Sequence, residues 1–292
     1  MLHRLIYADW DNPPEAMAFE APLGELLGRM RALLPGILAG KDAALADPAA
    51  APPPFWDACL ALYLVTPALV NVALNYKICV EQGLPLHPTH YFEVSERTRF
   101  QKHYPPDQVE RANDHFQAAI AAARAVYALD PEAGAIVDRF GAAMPALLNR
   151  FIYASTKDKY TWRASNPRRI LSLAEQVTRA LRPAVVVGAA HGSIMSGLVF
   201  ANLLDCPLYF IRFSMFKRND TQPIIAPSDR AYLARFSSGP ALLFDEDVAK
   251  GTTLTRFDRA LKPLFQISHT ASVLRHALSP CVPDFTGHAW SD

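Results

Sequence analysis

ALLFDEDVAKGTTL, residues 241–254, is the stretch on which the reading of the fold turns. Its first four residues are a continuous apolar run, the pattern of a parallel strand buried on both faces. Two adjacent carboxylates follow, Asp245 and Glu246, and a short turn with Gly251 and the hydroxyls of Thr252 and Thr253 then leads straight into a helix. Such a turn presents backbone N–H groups and the positive end of a helix to a phosphate, and the threonines add hydroxyl donors. Carboxylates projecting at a strand terminus suit the vicinal hydroxyls of a ribose and a cation beside it. A capped surface turn would explain Asp247 and the threonines but not an acid pair after a buried strand. A Walker phosphate loop is excluded, because its Gly-Lys-Ser/Thr closes a longer glycine loop than this one.

Working outward, strands alternate with helices. Residues 168–181 read as a helix, 184–187 (AVVV) as a buried strand, 188–193 as the opening of a helix that runs to 204, and 207–213 (PLYFIRF) as a second strand. A polar loop is expected over 214–228, the third strand at 241–244, a helix over 251–264 and a fourth strand at 270–274. That alternation predicts a parallel sheet with ligands at the carboxyl ends of its strands.

The acid pair, spacer and Gly-Thr turn resemble the signature of the type I phosphoribosyltransferases, most closely the hypoxanthine-guanine branch, over about 110 residues from 184 to 292. The resemblance implies that Asp245 and Glu246 hold the ribose hydroxyls and that Ala249, Lys250, Gly251, Thr252 and Thr253 cradle the 5-phosphate. Upstream, VGAAHGS (187–193) stands where the family has its pyrophosphate loop, so Ala190, His191, Gly192 and Ser193 would face the leaving diphosphate. A dinucleotide fingerprint fits this segment poorly, its spacing being G-x-x-x-G. YFIRFSMFKRND (209–220) resembles the branch's strand and mobile catalytic loop, with Arg212, Lys217 and Arg218 as candidates to neutralise the diphosphate. ASVLRH (271–276) resembles the strand with a base-reading lysine, which places His276 at or beside that position. VPDFTG (282–287) implies Phe285 as the ring stacking on the base, Thr286 as a backbone contact and Asp292 as an acid of the metal shell. Two residues depart from the pattern. Ala249 stands where the branch usually carries an acid, and Lys250 where a small hydroxylated residue is commoner.

The first half is rich in alanine and reads as helix almost throughout. Leu23, Leu26, Leu27, Met30, Leu33 and Leu34 mark an amphipathic helix that Pro35-Gly36 would bend or end. DPAAAPPP (47–54) reads as a stiff connector, and further helices are expected at about 54–82, 106–129 and 131–151, punctuated by prolines. Residues 58–76 carry no charge. Pro67, Asn71 and Asn75 inside that stretch favour a buried helix over a membrane span. The polar segment 156–169 marks the domain boundary, giving a mainly helical domain over 1–165 and a phosphoribosyltransferase-like domain over 166–292.

Lys+Arg 29 against Asp+Glu 28 leaves a formal charge of +1, which supplies no electrostatic footprint for nucleic acid or an acidic membrane. Four scattered cysteines without a C-x-x-C pair read as reduced thiols, and the amino terminus lacks a signal-peptide pattern, so the expected location is cytoplasmic. His87 and His90 read as surface residues, and Trp56, Trp162 and Trp290 as packing, although Trp290 lies within the base segment; the basic cluster Lys157, Lys159, Arg163, Arg168 and Arg169 reads as a solvated, boundary-spanning face or, equally, as a cover for the active site. The expectation is therefore an α/β fold, a type I phosphoribosyltransferase-like parallel sheet flanked by helices, with an N-terminal mainly α-helical domain. Its expected function is Mg²⁺-dependent transfer from phosphoribosyl pyrophosphate to a small, purine-like heterocyclic base. The alternative is a non-catalytic sensor of phosphoribosyl pyrophosphate or a nucleotide. The helical half would serve as a hood, a homodimer interface or a partner module.

Overall fold

The computed structural model describes residues 1–291, leaving aside the side chains of Phe216 and Lys217. The chain forms two units, Met1–Asp9 with Pro14–Lys157, and Trp10–Pro13 with Asp158 onward. The division falls at 157/158, eight residues before the expected boundary, because the polar segment there holds a helix that packs within the second unit.

The first unit contains β1 (Phe19–Pro22), α1 (Leu23–Ala46), α2 (Pro53–Val65), α3 (Pro67–Glu81), α4 (Arg97–Phe100), α5 (Pro106–Ala128), α6 (Ala133–Ala143) and β2 (Ile152–Ser155). β1 and β2 pair antiparallel, a pairing that the alanine-rich pattern does not announce. α1 continues through Pro35 to Ala46. Leu34 and Ile37 bury on the same stripe as Leu23 and Met30, and this continuous burial outweighs the roughly 3 kcal/mol that an internal proline costs. The expected helix over 54–82 is split at Thr66, where Pro67 takes the first position of α3. α2 and α3 together are long and apolar enough to cross a membrane by composition, and 72% of their most apolar window is buried inside the protein. α3 is buried on every side except at Asn71 and Glu81 and packs along α5. On it Lys77 pairs with Glu81 at 2.6 Å, with side chains 1% and 4% exposed, and the ammonium lies 5.9 Å from the Phe116 ring centroid.

The second unit contains α7 (Lys159–Ala164), α8 (Pro167–Ala180), β3 (Val185–Ala190), α9 (Ile194–Leu204), β4 (Leu208–Arg212), α10 (Met215–Arg218), α11 (Pro227–Ala234), β5 (Pro240–Val248), α12 (Thr252–Leu261), β6 (Ile267–His276) and β7 (Phe285–Trp290). Its five strands are all parallel, in the order β4-β3-β5-β6-β7. β3, β4 and residues 241–244 of β5 are buried throughout, as the continuous apolar runs require. Three features differ from expectation. β5 carries its pairing past the acids to Val248, β7 is a fifth strand, and the loop after β4 contains α10. The chain leaves β3 toward β4 on one side and later returns to place β5 on the other. The β3 and β5 exits therefore diverge and open a crevice at the carboxyl edge, the place where open α/β sheets bind ligands.

Candidate active site

Two turns meet in that crevice. Ala190 is the last residue of β3, paired with Arg212, which leaves His191, Gly192 and Ser193 as the turn before α9. The Ser193 hydroxyl donates back to the Ala189 carbonyl at 2.7 Å and is buried, which tightens the turn. A Cβ added at Gly192 would fall 1.7 Å from Glu246 Oε1. The acid of β5 therefore sits directly over this backbone, at a spot that only glycine can leave free.

Three consecutive carboxylates occupy the end of β5. Asp245 is 5% exposed, and its Oδ1 accepts from the Glu246 N–H at 3.1 Å. Burial pushes the Asp245 carboxyl up to about 6, partly offset by hydrogen bonds from Glu246. Glu246 is raised well above the usual range by burial and then by the charge of Asp245. Its partial exposure screens part of that effect. Asp247 is pushed up to about 6 by burial and by Asp245, against the lowering influence of the Trp290 indole. Like charges crowded at a low-dielectric edge disfavour ionisation until a cation or hydroxyl donors arrive. Among the described residues no group of three His, Cys, Asp or Glu side chains could hold a metal. Two hard carboxylate oxygens with ligand oxygens completing the shell is the arrangement that suits Mg²⁺. Asp292 lies outside the described residues.

The turn after β5 begins with exposed Ala249 and Lys250. Gly251 adopts φ 74, a left-handed conformation that glycine takes freely, and a Cβ there would lie 2.0 Å from Cys281 Cβ. α12 starts at Thr252, so its N-terminal amides open at the crevice. The Thr253 hydroxyl approaches Met215 Sδ at 3.7 Å. Lys250, Gly251 and Thr252 continue into a groove of about 360 Å³, lined further by Thr255, Arg256, Arg259, Pro280 and Cys281.

On the other flank the strand register corrects the sequence reading. Phe285 pairs with Ala271, which pairs with Phe244, whereas Trp290 pairs with His276, one residue beyond the Val248–Arg275–Ala289 level. At about 3.3 Å per residue, Phe285 stands roughly 16 Å below Trp290. It packs edge-on against His269 at 5.9 Å and does not reach the carboxyl edge of the sheet. The ring at the edge is Trp290, 4.8 Å from His276 and 5.9 Å from Tyr160, with the Arg163 guanidinium 5.8 Å from its centroid. Thr286 lies level with Asp245 through Ser272, and its carbonyl accepts from Gln176 Nε2 at 2.8 Å. α7 supplies Tyr160 and Arg163. It is capped by Asp158, whose carboxylate accepts from the Tyr160 and Thr161 N–H groups, and it is anchored by Trp162 stacked on Trp10 at 4.5 Å and by Arg163 on Asp11 at 3.2 Å.

Arg212 is a second correction. It is 1% exposed and forks onto Asp220, Nε to Oδ2 at 3.1 Å and an Nη2 contact to Oδ1 at 2.9 Å. Asp220 also accepts from the Ser214 N–H at 2.9 Å. The charge of Arg212 is therefore spent on closing the loop after β4 and is not offered to a diphosphate. Lys217 falls in α10, and its side chain is outside the described set. The sequence pattern does not single out Asp247 or Tyr160 as site residues, and it places Trp290 and Arg163 only within a base segment and a basic cluster, without a role for either. The apolar and small residues Phe285, Gly287 and Ala289, alternating with Trp290 in phase with Thr286 and His288, are the period-two signal of β7.

No family model matches the chain, and no curated protein matches it. Solved structures similar to it include a purine phosphoribosyltransferase from Pyrococcus horikoshii, 22% identical over 44% of this chain and 86% of that one, with a TM-score of 0.35. A hypoxanthine phosphoribosyltransferase from Trypanosoma cruzi in complex with IMP is 13% identical over 44% and 73%, with a TM-score of 0.35. A hypothetical protein from Neisseria gonorrhoeae with bound ppGpp is 15% identical over 44% and 80%, with a TM-score of 0.36. The fold of the second unit stands on its own strand order and register.

Proposed function

We propose that this protein binds phosphoribosyl pyrophosphate with Mg²⁺ and transfers the phosphoribosyl group to a nitrogenous heterocycle. The observation that carries this reading is the Glu246 carboxylate seated over Gly192, which joins the acid pair and the β3–α9 turn in one crevice. The ligand would straddle β5, with its ribose hydroxyls on Asp245 and Glu246, its diphosphate toward residues 191–193 and its 5-phosphate on the α12 turn. Its acceptor base would lie toward His276 and Trp290. Asp245 and Glu246 would hold Mg²⁺, which when bound neutralises diphosphate charge and assists its departure. The protein's own contribution is positioning and preorganised donors. The crevice turns fix the diphosphate, and the β6–β7 edge sets the base nitrogen against the anomeric carbon. No covalent nucleophile is needed.

Lys250 and Ala249 favour a second reading, a sensor that binds the same ligand without turnover, since the position usually holding an acid carries none. Calorimetry with phosphoribosyl pyrophosphate and Mg²⁺, then a pyrophosphate-release assay over a panel of bases, decides between them. Binding with release supports transfer, and binding without release supports the sensor. Absence of binding rejects both.

A further inference from the structure

The outer face of α12 has no part in the crevice chemistry described above. Leu254, Phe257 and Leu261 turn from this helix to the core. At 3.6 residues per turn Thr252, Thr255, Arg256 and Arg259 share the other side. All four are exposed, and they line the groove of about 360 Å³ that opens from the phosphate turn. Lys250 lines it too, and no described carboxylate does.

In a chain whose charges balance to +1, residues 250–262 carry Lys250, Arg256, Arg259 and Lys262 against Asp258 alone. Arginines exposed on α1, α5 and α8 are each met by an acid one turn earlier, Arg29 by Glu25, Arg111 by Asp107 and Arg179 by Glu175. One turn before Arg256 and Arg259 stand the hydroxyls of Thr252 and Thr255 instead. Among the described residues no acid pairs with Lys250, Arg256 or Arg259. The Arg256 guanidinium is held by one donation, Nη1 to the Thr221 carbonyl at 3.2 Å, which fixes it without neutralising it.

This face therefore offers hydroxyls and uncompensated cations from Thr252 to Arg259, a run of roughly 10 Å along the helix axis. A single exposed ion pair is worth little, so a ligand gains affinity here by engaging several cations at once. Guanidinium forks match phosphate oxygens two at a time, and the groove has the volume of a small-molecule site. We propose that the α12 groove binds a linear chain of three or more phosphates, inorganic or the tail of a nucleoside triphosphate, and that this binding keeps the 5-phosphate off the turn they share. The binding stands on the groove itself, and the competition rests on the phosphoribosyl reading above. Lys250 then has a task that the family resemblance does not supply, as the cation at which the two ligands meet.

The test is calorimetry on the full chain with orthophosphate, tripolyphosphate, ATP and GTP, in chelator so that no Mg²⁺ links a probe to the acids of the crevice. Tripolyphosphate should bind about tenfold or more tighter than orthophosphate, because it reaches several cations together. The double change Arg256→Gln with Arg259→Gln should weaken tripolyphosphate about tenfold or more. With Mg²⁺ present, the same variant should hold phosphoribosyl pyrophosphate within about threefold of the parent, since exposed charges away from a ligand are screened. Tripolyphosphate should also raise the apparent Kd of phosphoribosyl pyrophosphate, and the double variant should need about tenfold more of it to do so. Arg259→Gln alone removes no hydrogen bond within the chain, so it keeps the test open if the double variant loses its fold, and it should weaken tripolyphosphate about threefold. Nucleotides that bind no tighter than tripolyphosphate support the free chain as the ligand, and tighter binding supports the nucleoside triphosphate tail. Equal binding of orthophosphate and tripolyphosphate, or a tripolyphosphate affinity that the arginine changes leave untouched, overturns the inference. If tripolyphosphate binds as expected while phosphoribosyl pyrophosphate does not bind, the groove stands, and the phosphoribosyl reading and the competition fall together.

Discussion

In the helical unit Lys77 and Glu81 meet at 2.6 Å, opposite charges closed on each other, whereas in the α/β unit Asp245, Glu246 and Asp247 stand in a row with the charge of Asp245 opposing the ionisation of both neighbours. The first arrangement is complete in itself, and under the proposed function the second becomes complete only with a ligand. Charge buried for architecture and charge buried for binding can thus be told apart by asking whether removing one member leaves the rest better or worse off. Lys77→Met should have the largest effect of any single change in either group. It strands Glu81 in the core, and breaking a buried pair costs about 3–5 kcal/mol. Guanidinium-induced unfolding would measure it. The double change Lys77→Met with Glu81→Leu should recover most of the loss, because the pair can be exchanged for apolar packing at little net cost. If the double variant is as unstable as the single one, the pair is not self-contained.

The opposite sign is expected in the α/β unit. Glu246→Gln removes a like charge from Asp245, so the ligand-free protein should be as stable as the parent or more so. Its affinity for phosphoribosyl pyrophosphate with Mg²⁺ should fall about 100-fold, near 2.8 kcal/mol at 1.4 kcal/mol per decade. A loss of stability in this variant would place Glu246 with the architectural charges. The pH dependence sharpens the same contrast. The carboxyls of Asp245 and Asp247 lie at about 6 in the folded chain against 3.8 for an ordinary aspartate. A raised carboxyl contributes stability that is complete below the unfolded value and is lost as pH rises through the folded one. In chelator, stability should therefore decline from about pH 4 to pH 7, by about 1–3 kcal/mol after discounting for partial exposure. Asp247→Asn should flatten part of that decline. Thermal melts across this range check both the direction and the window.

How much of this is legible in the sequence depends on whether local pattern or long-range register decides the matter. The continuous apolar runs at 184–187, 207–213 and 241–244 announce β3, β4 and β5, because a strand buried on both faces needs no partner to betray it. The Gly-Thr turn announces the start of α12 for the same reason. β7 escapes because its alternation, half apolar and half polar, is that of an edge strand and is easily read as loop. Without β7 nothing says that Trp290, five residues on, stands at the edge while Phe285 does not. Arg212 misleads because a guanidinium before a polar loop looks the same in sequence whether it faces a ligand or, as here, the carboxylate of Asp220. Pro35 reads as a bend or stop because the cost of proline is local, whereas the burial of Ile37 that offsets it is tertiary.

The smallest effect tests the crevice itself. Gly192→Ala places a methyl where Glu246 Oε1 now lies, with 1.7 Å between them. A side chain can yield where a backbone cannot, so Glu246 should swing away at modest cost to stability. Affinity for phosphoribosyl pyrophosphate should fall about tenfold, near 1.4 kcal/mol. Taken alone this could reflect a distorted turn, so the informative measurement is the double-mutant cycle with Glu246→Gln. If Gly192 matters because it leaves room for a working carboxylate, the alanine should cost little once that carboxylate is gone, and the two losses should be far from additive. Additive losses would mean that the turn and the acid serve separate ends, and the two halves of the crevice would then be neighbours without being one site.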